Sequence, residues 1–163
     1  FGILHSDDEF YDNNVLSKVE QKFRNNINFL YGNILIISRK NKILRKWNSE
    51  KFNKKSLEYG WMPPHTSTFI ERKFSNKIGY YSNKFKVSSD YDYMLRCLKS
   101  NDLKIGYIDK YITKMKFGGD STKLSGLLTK MKEDLKIQKK NKLKFPVFSL
   151  IFKNIRKVKQ FIT

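Results

Sequence analysis

Phe1-Gly2-Ile3-Leu4-His5-Ser6-Asp7-Asp8 opens the chain with an apolar run that reads as a buried strand and breaks directly into Ser-Asp-Asp, with Glu9 and Asp12 close behind. Adjacent carboxylates at the mouth of such a strand repel each other, and a divalent cation held by oxygen ligands is the usual compensation. The same residues also suit turn and capping duty for a helix starting near Asn13, because Asp and Asn accept hydrogen bonds from the free N–H groups of a first turn. Both readings stand on these residues alone.

Outward from that stretch, 163 residues with 39% apolar and 15% aromatic content suffice for one domain with its own core. Lys and Arg number 34 against 15 Asp and Glu, a formal net charge of +19. That balance favours anionic partners, whether nucleic acid, phosphorylated small molecules or an acidic membrane surface. A single cysteine, Cys97, excludes an internal disulfide and a multi-cysteine zinc site, and points to a reducing compartment. No secretory signal is visible, and no run of about 18 uncharged apolar residues marks a transmembrane helix. Phe1 reads as mid-strand, so the sequence is expected to be the C-terminal part of a longer protein.

Val15, Leu16, Val19 and Phe23 fall at helical spacing behind Asp12 or Asn13, a helix expected to lie against a sheet. Residues 28–38 (NFLYGNILIIS) form the most strand-like segment, interrupted by Gly32 and Asn33. Arg39 to Lys46 is basic and carries little pattern. Lys51 to Tyr59 reads as a short helix stopped by Gly60. The paired prolines of Gly60-Trp61-Met62-Pro63-Pro64-His65 remove donors and fix φ, which puts Trp61 and His65 on a rigid turn before the strand-like Thr66 to Ile70. A helix from Glu71 to Ile78 ends at Gly79. Ser88 or Ser89 caps a further helix with Asp90 and Asp92 in its first turn and Tyr91, Met94, Leu95 and Leu98 on its apolar face. A carboxylate held there beside a cleft can serve as a general base, although the pattern is equally that of a well-capped amphipathic helix. Leu103 to Ile108 and Tyr111 to Phe117 read as two strands around Asp109-Lys110. The Gly118-Gly119 pair that follows is either a plain turn or a loop whose N–H groups approach an anion.

Taken together, Ser6-Asp7-Asp8 after an apolar run, Gly60 to His65, Ser89-Asp90-Tyr91-Asp92 with Leu95-Arg96, and Met115 to Ser121 resemble, in order and spacing, the C-terminal two thirds of an inverting family 2 glycosyltransferase of the GT-A fold. The similarity is to the bacterial branch that builds surface polysaccharides, and it covers residues 1–121. The resemblance implies an α/β fold, an incomplete GT-A (Rossmann-like) mixed sheet with flanking helices, lacking the N-terminal half that binds the nucleoside. It implies that Asp7 and Asp8 hold Mg or Mn with the diphosphate of a nucleotide-sugar donor, and that Asp90 is the catalytic base. Gly118, Gly119 and Ser121 would then meet the donor diphosphate, with Trp61, His65, Tyr91 and Asp92 on the side of a saccharide or lipid-linked acceptor. One departure is Ser89, where many relatives carry Glu before the catalytic Asp.

Residues 122–163 carry twelve Lys and Arg against Glu133 and Asp134. Leu124, Leu127, Leu128, Met131 and Leu135 share one helical face, expected to pack on the domain. After Pro146, Phe148, Ile151, Phe152, Ile155 and Ile162 share another, flanked by Lys153, Arg156, Lys157 and Lys159. Such a basic amphipathic helix suits the headgroup region of an anionic membrane, or else docks on the protein by its aromatic side. The first alternative puts the protein in the cytoplasm, peripheral at the inner face of the plasma membrane. A nucleic-acid-binding module without catalysis is the other function the charge allows, but no helix-turn-helix, zinc-finger or RNP-type pattern appears and no specific nucleic acid is expected.

Overall fold

In a computed structural model that describes residues 1–118 and 124–160, the chain is a mixed open sheet of five strands flanked by helices, an α/β architecture. The elements are β1 (Glu9–Phe10), α1 (Val15–Phe23), β2 (Phe29–Ile37), β3 (Ile43–Trp47), β4 (Thr68–Ile70), α2 (Arg72–Ile78), α3 (Ser89–Lys99), β5 (Ile105–Lys116), α4 (Leu124–Lys140) and α5 (Pro146–Lys159). Short 3-10 turns cover Lys54–Tyr59 and His65–Ser67.

β2 is the centre. Every one of its nine residues is buried, as expected of a strand covered on both faces. One edge pairs parallel with β5, the other antiparallel with β4 and β3. Alternate side chains feed two cores. Phe29 and Tyr31 join Trp61, Phe74, Tyr93 and the apolar face of α3, while Leu30 meets Val15 and Val19 of α1 with Ile108 and Ile112 of β5.

Four sequence expectations change. Phe1 to Leu4 is not a buried strand: Gly2 makes an isolated bridge to Phe69, Phe1 exchanges two backbone hydrogen bonds with Ile70, and Phe1 and Leu4 stay exposed on the outer side of β4. β3 lies in the basic stretch read as patternless, because the outer face of an edge strand has no need of apolar residues. The two strands expected around Asp109-Lys110 are one, β5. Its register slips against β2 at Gly32 and Asn33, where Asp109 Oδ1 accepts from Asn33 Nδ2 at 3.1 Å and from the Tyr107 hydroxyl at 2.9 Å. Gly32 is required there, since a Cβ would lie 2.3 Å from Ile112 Cγ1.

The fourth change concerns the C-terminal helices. α4 packs by Asp134, Ile137 and Gln138, leaving Leu127, Leu128 and Met131 exposed, while Ile137 and Leu143 belong to the main core. α5 is inverted relative to docking by its aromatic side, and its basic residues do not flank that side toward a membrane but turn inward. Its aromatic side faces away from the protein and its basic side faces in, with Lys153 Nζ 2.7 Å from Asp134 and Arg156 3.3 Å from Glu50. Contact begins at Gly60, which ends the 3-10 turn at φ 69° and lies under Ser149 and Lys153 of α5.

Candidate active site

A cleft of ≈ 1050 Å³ opens at the C-terminal ends of β2 and β5, the edge at which open α/β sheets receive ligands. Residues 5–8, the Gly60 to Thr66 turn and the start of α3 wall it, and the inward sides of α4 and α5 roof it.

Asp90 is positioned from behind. The N–H groups of Lys86, Val87 and Ser88 donate to the Glu133 carboxylate of α4 at 2.9, 3.0 and 2.9 Å. Burial works against the charge on Glu133, but the three donors more than offset it and hold its pKa below the usual value. Arg96 ties down the loop before α3, donating to the carbonyls of Ile78 and Tyr80 at 2.6 and 2.7 Å. Asp92, expected on the acceptor side, serves this scaffold instead. Its side chain is fully buried between Arg96 and Lys140, each at 3.0 Å, because two residues past Asp90, about 200° around the helix, turn it from the cleft into the packing between α3 and α4.

Asp90 Oδ2 lies 3.2 Å from His65 Nδ1, and His65 Nε2 lies 3.0 Å from His5 Nε2. Burial pushes the His65 pKa below its ordinary value; Asp90 opposes the shift, and His5 and Lys130 add to it. A neutral His65 that donates from Nδ1 to the carboxylate has a bare Nε2, which accepts from His5 Nε2–H. The other Asp90 oxygen, Oδ1, is buried with no partner among the described residues.

Asp7, exposed, and Asp8, half-buried, both line the cleft on the side away from α5. Asp8 Oδ1 accepts from Lys116 N at 3.2 Å, while Oδ2 is buried with no partner among the described residues. Burial raises the Asp8 pKa; the Lys116 N–H opposes this and Asp7 reinforces it. Among the described residues no group of three or more His, Cys, Asp or Glu side chains forms a metal site. Two carboxylates, one with an orphaned buried oxygen, fit a cation that completes its shell with water and substrate phosphate, as Mg commonly does.

The remaining predicted residues divide. Gly118 lines the cleft; Tyr91 touches it but belongs to the core, 5% exposed, its hydroxyl accepting from Gln138 Nε2 at 3.0 Å and its ring lying under Lys153 Nζ at 3.5 Å. Trp61 touches the cleft but belongs to the core: it is 4% exposed, donates to Ser49 O at 2.7 Å and packs on Tyr31 and Phe52. It therefore has little open face for a sugar ring. Gly119 and Ser121 lie outside the described residues. His5 and the cations Lys130, Lys153, Arg156 and Lys157 also line the cleft; the sequence assigns no site role to His5 or Lys130, and the last three, expected at membrane headgroups, face the cleft instead. The signal for the last three was their spacing at i, i+3 and i+4 opposite the aromatic side of α5. No protein-family model matches the chain, and no curated protein matches it.

Proposed function

We propose that the chain is the metal and acceptor part of an inverting glycosyltransferase, moving a sugar from a nucleotide-sugar donor to a saccharide or lipid-linked acceptor in surface polysaccharide biosynthesis. The observation that carries this reading is that Asp8 and Asp90, far apart in sequence, line one cleft and each keep a buried carboxylate oxygen without a partner among the described residues. The third carboxylate with such an oxygen, Asp134, does not line the cleft and is paired through its other oxygen with Lys153, so the two that do stand apart. They are what a carboxylate awaiting a cation and a base awaiting a proton leave behind.

In this mechanism Asp90 Oδ1 takes the proton of the acceptor hydroxyl as that oxygen bonds to the anomeric carbon. The anomeric C–O bond to the diphosphate breaks, its electron pair leaves on the diphosphate, and the configuration inverts. His65 holds the carboxylate by Oδ2 and, being neutral, does not cancel its charge. Asp7 and Asp8 would hold Mg or Mn, which supplies neutralisation of the charge on the departing diphosphate.

The protein works at an anionic membrane face through α5. Among the described residues no helix is long and apolar enough to cross a membrane. The outward side of α5, from Val147 and Phe148 through Ile151, Phe152 and Ile155 to Val158, is 40% to 62% exposed on a chain of net charge +19, which suits insertion of the apolar side among acidic lipids.

The test is turnover of a nucleotide-sugar panel by the chain together with any sequence encoded upstream of Phe1. Asp90→Asn should lower turnover at least about 100-fold with donor binding kept, and Asp8→Asn should remove Mn dependence of nucleoside diphosphate binding. Full activity in both variants would sink the transferase, and tight salt-sensitive binding of random oligonucleotides would put the nucleic-acid module in its place.

A further inference from the structure

The roof of the cleft holds positive charge that neither the fold nor the transfer step above uses. Most cations there have partners. Lys153 pairs with Asp134, Arg156 with Glu50, and Arg45 donates to Gln160 Oε1. Lys157 and Lys130 have no hydrogen-bonded or ion-pair partner among the described residues.

Lys157 is the more telling of the two. It is largely buried, and burial together with Lys153 and Lys130 pushes its pKa down to about 8, with Asp134 opposing. The nearby Asp134 is paired with Lys153, and an ammonium taken out of water without an ion pair of its own weakens the fold, so an apolar side chain of the same length would serve stability better. Lys130 adds to the positive field both at Lys157 and at His65, so the uncompensated charge extends from α5 across the cleft toward Asp90. The floor opposite, at Asp7 and Asp8, is anionic. A ligand that satisfies both sides must put its own anion against the roof and reach the floor through a cation.

We propose that Lys157, with Lys130 and Lys153 beside it, is the anion site for the diphosphate of the donor, gripping from α4 and α5 the group whose other side meets Asp7 and Asp8. A diphosphate is favoured over a carboxylate or a single phosphate because two separate unpartnered ammonium groups call for more than one negative centre. The proposal deepens the transferase reading and rests on it for the role of that diphosphate as the departing group. Lys157 is then a binding residue, and the inverted seating of α5 is what places it.

The experiment titrates inorganic pyrophosphate into the chain with EDTA present, so that neither metal nor sugar contributes. The wild type should bind, Lys157→Met and Lys130→Gln should each weaken binding about tenfold or more, and the exposed Lys139→Gln should not. The unfolding midpoint of Lys157→Met should rise while its affinity falls, which separates a lost ligand contact from a damaged fold. Labelling of Lys157 by trinitrobenzenesulfonate at pH 8, read by peptide mass spectrometry, should slow several-fold in pyrophosphate. Equal affinity in wild type and Lys157→Met, or labelling indifferent to pyrophosphate, would overturn the site. Pyrophosphate binding through Lys157 in a protein that transfers no sugar would leave the anion site standing and remove the transferase alone.

Discussion

His65 connects position to protonation. Its folded pKa lies below the ordinary 6.5 because burial disfavours the imidazolium, with Asp90 only partly opposing. As pH falls through 6.5 the unfolded chain takes up the proton first, so stability drops across the window that opens at 6.5 and closes at the lowered folded value; above 6.5 the group contributes nothing. Urea midpoints at pH 7.5 and 5.5 should differ less in His65→Gln than in the wild type. An identical pH response would mean that His65 is not held neutral. Asp8 titrates in the opposite sense, since burial raises its folded pKa, so the comparison of variant with wild type is what isolates the imidazole. Lys157 obeys the same linkage at higher pH: a folded value of about 8 against an ordinary 10.5 means that its charge costs stability at neutral pH. The stabilisation expected of Lys157→Met is about 1–3 kcal/mol.

At the scale of elements, the cleft depends on how α5 sits on the Lys54–Tyr59 turn. Gly60 is the hinge point of that seating. A Cβ there would lie 2.3 Å from Ser149 O and 2.7 Å from Lys153 Cβ, and the residue holds φ 69°. Gly60→Ala is therefore expected to cost about 2–4 kcal/mol, left-handed backbone and steric overlap acting together. Because the overlap pushes α5 outward, pyrophosphate affinity should fall in the same variant, measured under conditions where circular dichroism shows it folded. A variant of wild-type stability would show that α5 does not bear on this turn. Glu133 plays the corresponding part for α3, since one carboxylate collects three N–H groups of the loop that delivers Asp90.

For the whole molecule, polar and apolar surfaces are arranged on opposite sides of one helix. The inward side of α5 closes the cleft, and the outward side is free to meet a bilayer. Phe148→Asp combined with Ile151→Asp should leave the fold intact, as both side chains are exposed. The pair should also move the protein from anionic liposomes to the supernatant in a sedimentation assay. Each lost insertion is worth about 1.5–3 kcal/mol at full burial, so a fall in partitioning of at least tenfold is expected. Unchanged partitioning would show that the apolar side of α5 is not the membrane contact.

The sequence by itself determined the elements whose pattern is local and one-sided. The buried run of β2, the helix ending at Gly79, the apolar face of α3, the stop at Gly60 and the irregular Pro63-Pro64 turn all follow from composition and period, and each lies where it was read. It also singled out Asp7, Asp8, His65 and Asp90 as residues able to do chemistry. Only the tertiary structure brought those four to one cleft, since nothing local relates residue 8 to residue 90. It alone decided the edge strand β3, whose outer face needs no apolar pattern, and the removal of Trp61 and Asp92 into packing roles. Above all it decided the sense of α5. An amphipathic helix has two sides, and its sequence says which residues share a side without saying what that side meets. Here Asp134, Glu50 and the cleft drew the basic side inward and left the aromatic side facing out.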